Sequence, residues 1–286
     1  MSSTASYTDV LKDIQDFYTE NSVKAYAPSI DSYLEFKPLS VSQMKRFIEL
    51  QVSASKEEAN AIPSIDAAKE LTDCLVENYI GKDTDELTKK LTTLDRDCII
   101  AQLRANNNPV IEINQQNAEP YQTSIEHVLT LFKDNKLPDD CRTDEKVFKF
   151  KGTSLKIKMR LPTLELDSLV NSYFKSELQP VMKQGKKALK KNLEKILTQT
   201  LFIELSKYIE YIEISKSNKN TLITYDNEKT ISNNLKVLEE LPSNLIVEVN
   251  NFIRNIKNYK DSVLYYIDED GNEKSLVVDI NLFTTI

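Results

Sequence analysis

VFKFKGTSLKIKMRLPTLELDSLVNSYFK, Val147–Lys175, changes its hydrophobic period once, and the fold class follows from that change. Val147–Phe150 sets Val and Phe against Lys, and Leu155–Leu161 sets Leu, Ile and Met against Lys and Arg. Alternation of this kind places one type of side chain on each face of a strand. Gly152 between the two runs reads as the turn of a hairpin with one solvated face. Beyond Pro162 the spacing lengthens, with Leu166, Leu169, Val170, Tyr173 and Phe174 at i, i+3, i+4, i+7 and i+8. That spacing predicts an amphipathic helix from Thr163 to about Lys175. A hairpin followed by a helix is a unit of an α+β fold, here amphipathic helices interleaved with short antiparallel hairpins.

Working towards the N-terminus, Val110, Ile111 and Ile113 suggest a strand, and Ser124–Lys133 reads as a helix in preference to a strand. A helix is expected from about Asp85 through Ala105, broken near Thr92. Another runs from Ser64 to about Tyr79, and Gly81 suits its C-terminal stop. Ser40 stands three residues before Gln43, the spacing of a capping box, ahead of an apolar helical face made by Val41, Met44, Phe47, Ile48 and Val52. Tyr33–Phe36 before it reads as a strand. Residues 1–28 read as an N-terminal arm in which Val10, Ile14, Phe17 and Tyr18 sit at helical spacing.

Working towards the C-terminus, residues 186–211 carry the longest helical pattern, from Leu189 through Leu205 and Tyr208 to Ile212. Leu222–Tyr225 reads as a short strand and Ile231–Leu241 as a helix. Ser243 is a fitting N-cap after Pro242, for a helix whose face is Leu245, Val249, Phe252, Ile253 and Ile256. A hairpin is predicted last, Val263–Ile267 and Leu276–Ile280, with Asp268–Asn272 as its turn. The organisation reads as the arm 1–28, an α+β part 29–176 and a helical part with a C-terminal helix and hairpin 177–286, or as one continuous domain from residue 29.

Composition bounds the chemistry. The chain has 286 residues, 40% apolar and 28% charged, with 13 Tyr and 10 Phe to fill a core. A net charge of −7 argues against nucleic acid as a general partner, because phosphate binding needs a cationic field. Ordinary usage would give roughly twenty glycines, and there are four. Gly81, Gly152, Gly185 and Gly271 are too scattered to form a Walker loop or a dinucleotide fingerprint. The single histidine, His127, would have to anchor any histidine-dependent scheme, and its neighbour Glu126 points elsewhere on either a helix or a strand. Cys74, Cys98 and Cys141 are too far apart for a metal site. Cys74 and Cys98 read as core, and Cys141 as a thiol on a polar loop. The Asp268–Asn272 cluster fails the spacing of a calcium loop. No catalytic residue, cofactor, metal or small-molecule substrate is therefore expected. The first twenty-five residues lack the apolar run of a signal peptide, and no membrane span is expected.

Candidate protein-contact residues come from three places. Phe17 and Tyr18 lie on the arm, and Leu282, Phe283 and Ile286 on an apolar tail. Lys186, Lys187, Lys190 and Lys191 belong to a stretch, Lys175–Lys195, that holds seven lysines against two glutamates. That stretch reads as a solvated face, a patch for an acidic protein, or a site for nucleic acid or anionic lipid.

Five stretches together resemble the small baseplate hub proteins of T4-like contractile-tailed phages. They are LEFKPLSVSQMKRFIEL (Leu34–Leu50), LTTLDRDCIIAQLRANN (Leu91–Asn107), LKIKMRLPTLELDSLVN (Leu155–Asn171), LPSNLIVEVNNFIRNIKNY (Leu241–Tyr259) and SLVVDINLFTTI (Ser275–Ile286). The resemblance covers residue 30 to the end. The arm 1–28 and the Lys-rich stretch depart from it. It implies a virion structural protein of the tail baseplate, made in the host cytoplasm, with other baseplate and tail proteins as partners and no enzymatic activity. A transient, chaperone-like tail assembly factor and a nucleic-acid-associated phage protein are the alternatives. Relatives carrying a central cysteine pair would suit zinc; no such pair stands near residues 110–145 here, so no zinc is expected.

Overall fold

The computed structural model describes residues 7–56, 61–113, 119–132, 134–182, 200–216, 219–225 and 228–283. The chain is α+β and divides into two compact units, residues 1–87, 95–136 and 263–286 in the first and residues 88–94 and 137–262 in the second.

In the first unit, α1 (Tyr7–Glu20) is followed by the antiparallel hairpin β1 (Val23–Ala27) and β2 (Ser32–Phe36). β1, within the expected arm, is a largely buried strand. Its turn places Asp31 at φ 49°, and the Asp31 carboxylate is held by the Tyr26 hydroxyl at 2.5 Å and Lys136 at 2.8 Å. α2 (Val41–Lys56) begins with the expected capping box. The Ser40 hydroxyl accepts from the Gln43 N–H at 3.3 Å, and the Gln43 side chain accepts from the Ser40 N–H at 2.9 Å. α2 packs on α3 (Ala61–Asn78), and Arg46 joins them by a two-pronged pair with Glu77 and a 2.7 Å contact with Glu70.

α4 (Thr84–Lys90) and α5 (Thr93–Asn107) are separated by a break at the predicted place. α5 is buried from Cys98 to Ala105 on every side, the mark of a central helix. Its polar residues carry out specific tasks there. The Gln102 amide accepts from the Tyr26 N–H and donates to the Tyr26 carbonyl, pairing with β1 as a strand would. Asp95 accepts from the Ser29 N–H at 2.8 Å. A second hairpin, β3 (Val110–Ile113) and β4 (Tyr121–Ser124), precedes the one-turn helix α6 (Val128–Leu131).

The second unit is built on a four-stranded antiparallel sheet. It follows the one-turn helix α7 (Asp139–Arg142). β5 (Thr143–Phe150) and β6 (Thr153–Arg160) form the predicted hairpin, with Gly152 at φ 76° in its turn, where a Cβ would be strained. Leu155, Ile157 and Met159 are buried and alternate with Lys156 and Lys158. α8 (Leu164–Met182) extends beyond the expected end at Lys175 and buries Leu166, Val170 and Phe174.

Four sequence readings are corrected. The helix expected over 186–211 does not reach Tyr211: residues 200–207 are helical (α9), and β7 (Ile209–Lys216) follows as a central strand between β6 and β8 (Lys219–Thr224). Ile209, Ile212 and Ile214 are β-branched residues that pair with buried β6 positions, and this outweighs the accident that Tyr208 and Ile212 continue a helical stripe. The part at 186–199 lies outside the described residues. The final hairpin is shorter than expected and shifted, β9 (Tyr265–Ile267) with β10 (Glu273–Ser275). α11 (Ser243–Val263), which follows α10 (Glu228–Glu239), runs to Val263, so residues 277–280 have no strand to pair with. Ser243, expected as the N-cap, is already the first residue of α11. Fourth, Cys141 is buried in α7, not displayed on a polar loop.

Candidate protein-contact surface

Val10, Leu11, Ile14, Phe17 and Tyr18 recur at the three- and four-residue spacing that lines one face of a helix. α1 ends where Asn21 turns back on it: both the Asn21 N–H and its side-chain amide donate to the Phe17 carbonyl, at 3.0 and 2.8 Å. The face so formed is open. Val10 is 44% exposed, Leu11 42%, Ile14 45% and Phe17 60%. Among the described residues the Phe17 ring meets that of Tyr18 edge-on at 6.0 Å. A continuous apolar stripe left in water is a candidate contact surface, because its burial is what an amphipathic helix gains from packing.

Among the described residues of the tail, Leu282 and Phe283 offer no comparable surface. Leu282 and Phe283 are buried in a 3-10 turn, Ile280–Phe283, which packs on α2. The Phe283 ring stacks on Phe47 at 4.3 Å, and buried Arg104 donates to the Leu282 carbonyl at 2.9 Å. Both side chains serve the core of the first unit. Ile286, Lys186, Lys187, Lys190 and Lys191 lie outside the described residues.

The remaining candidates are bound into local structure. His127 is half-buried, its Nε2 2.9 Å from the Tyr265 carbonyl and its ring stacked on Tyr265 at 4.4 Å. Desolvation lowers its pKa against the opposing pull of that carbonyl and Glu273, so the neutral imidazole predominates. Burial pushes the Cys74 thiol up to about 12, and burial with Asp140 pushes Cys141 up to about 11. Thiolate, the reactive form, is therefore scarce at neutral pH.

Buried cations escaped the sequence reading, among them Lys207 and Arg104. Lys207 sits with its ammonium 2.8 Å from Asp167, 2.9 Å from Asn171 and 2.8 Å from Glu204. Desolvation would lower its pKa, but Asp167 and Glu204 outweigh it and hold the pKa above its ordinary value, so the amine is no nucleophile. Arg104 is satisfied by the backbone carbonyls of Leu282, Asn108 and Val110. On the outer face of the sheet, Lys156 and Lys158 flank the Tyr211 ring and pair at 2.9 Å with Glu145 and Glu210. Among the described residues no group of three or more His, Cys, Asp or Glu could hold a metal ion, and no helix is long and apolar enough to cross a membrane. No protein-family model matches the chain, and no curated protein or solved structure matches it.

Proposed function

We propose that this chain is a structural component of a bacteriophage baseplate hub that works through contacts with other tail and baseplate proteins and performs no catalysis. The observation that supports it is the open apolar face of α1, Val10, Leu11, Ile14 and Phe17, which suits a protein completed by its neighbours. The likeness of the five quoted stretches to small hub proteins supplies the assembly. The protein is made in the host cytoplasm and kept in the tail baseplate of the particle. The net charge of −7, and the pairing of Lys156 and Lys158 with carboxylates, favour protein over nucleic acid as the partner.

Quantitative mass spectrometry of purified particles tests this. A fixed number of copies per tail is expected. Abundance in infected cells with absence from particles would replace the structural role with that of a transient assembly factor.

A further inference from the structure

The polar side of α1 has its own asymmetry. At about 100° per residue, Phe17, Val10, Ile14, Tyr18 and Leu11 follow one another across roughly a third of the circumference. Past Phe17 come Asp13 and Glu20, and past Leu11 come Gln15 and Thr19; Asp16 and Lys12 share the back of the helix, equally far from the stripe. All six polar side chains are exposed. The apolar stripe is thus edged by acid on one flank and by neutral groups on the other. α1 is 14 residues long, and isolated helices below about 12–15 residues are marginal in water unless a packed face holds them.

The geometry points to α1 as a docking helix for a partner protein whose apolar groove or helix face is edged on one side by Lys or Arg. This deepens the assembly reading by naming the partner's chemistry, and rests on it only for the partner's being a tail protein. A second copy of the chain is the poorer fit. An antiparallel pair of α1 helices sets the acidic flank against itself, and a parallel pair sets it against Gln15 and Thr19, so neither supplies a cation. A membrane surface fits worse, because interfacial helices carry Lys and Arg to meet anionic headgroups, and α1 has the opposite sign.

The test uses the full chain and three probes: an amphipathic peptide with Leu on its apolar face and Lys on its flanks, the same peptide with Glu for Lys, and vesicles of phosphatidylcholine with phosphatidylserine. The Lys peptide is expected to bind about tenfold more tightly than the Glu peptide at low salt, where two attractive rim pairs, each weak alone, are exchanged for two repulsive ones. The margin should close as salt is added. Ile14→Asp should abolish binding. The double variant Asp13→Lys, Glu20→Lys should reverse the order of the two peptides, while circular dichroism and the unfolding midpoint hold for both proteins. Equal binding of the two peptides overturns the inference, as does an unchanged order in the double variant. So does sedimentation as a dimer that Ile14→Asp dissolves, or vesicle binding that Ile14→Asp removes. A chain absent from purified particles that still shows the expected peptide pattern defeats the particle reading and leaves this inference standing.

Discussion

In α11, Leu245, Val249, Phe252 and Ile256 line one face and are buried; in α1, Val10, Leu11, Ile14 and Phe17 line one face and are exposed. Both helices are written with the same spacing. Periodicity therefore says which face of a helix seeks cover and leaves open whether its own chain provides it. Hydrogen exchange should expose the largest difference: amides in the middle of α11 are expected to exchange more than about a thousandfold more slowly than those of α1, because α11 opens with the fold and α1 by local fraying. Comparable protection in both helices of the isolated protein would break the comparison. Truncation gives the next largest effect. Phe252→Ala is expected to cost about 3–5 kcal/mol through lost burial and a cavity, whereas Phe17→Ala should cost under about 0.5 kcal/mol. Urea unfolding of the two variants measures both.

The same distinction explains what was legible beforehand. α8 and α11 each announce a single buried stripe, and the Ser40–Gln43 capping box is local enough to be read from four residues. The open face of α1 was visible as spacing through Phe17 and Tyr18, but its exposure was not, since exposure depends on what else the chain brings near. Phe283 shows the converse, an apolar tail that looks available and stacks on Phe47, more than two hundred positions earlier in the sequence. β7 was hidden because Tyr208 and Ile212 also satisfy a helical stripe; only pairing with β6 and β8 separates the two readings. Lys207 and Arg104 could not be found from a charge pattern, because a buried cation is defined by all its acceptors, and Asp167 for the one and Leu282 for the other lie far along the chain.

Charges sharpen the contrast between covered and open surfaces. Lys207 and Asp167 form a buried pair at 2.8 Å, while Lys24 and Glu35 face each other at 3.6 Å on the exposed surface of β1 and β2. Lys207→Ala leaves Asp167 buried without its ammonium and is expected to cost about 3 kcal/mol. Lys24→Ala should cost under about 0.5 kcal/mol, because water already screens that pair. Equal losses in the two unfolding curves would mean that the cover over Lys207 is illusory.

His127, half-buried, lies between these extremes and gives the smallest effect. Its pKa is depressed below the ordinary 6.5, foremost by desolvation. The unfolded chain therefore takes up a proton more readily than the folded one, and stability falls as pH drops through about 6.5 towards the folded value. Above that window both states are neutral and His127 contributes no slope. His127→Gln should remove this part of the pH dependence, so the shift in urea midpoint between about pH 7.5 and 5.5 is smaller in the variant than in the parent. Carboxylates that titrate lower down act alike in both proteins and cancel in the difference. Because the chain holds one histidine, its imidazole can be followed directly by NMR. A midpoint at or above about 6.5 in the folded protein would mean that the ring stacked on Tyr265 is as well hydrated as one in open solution.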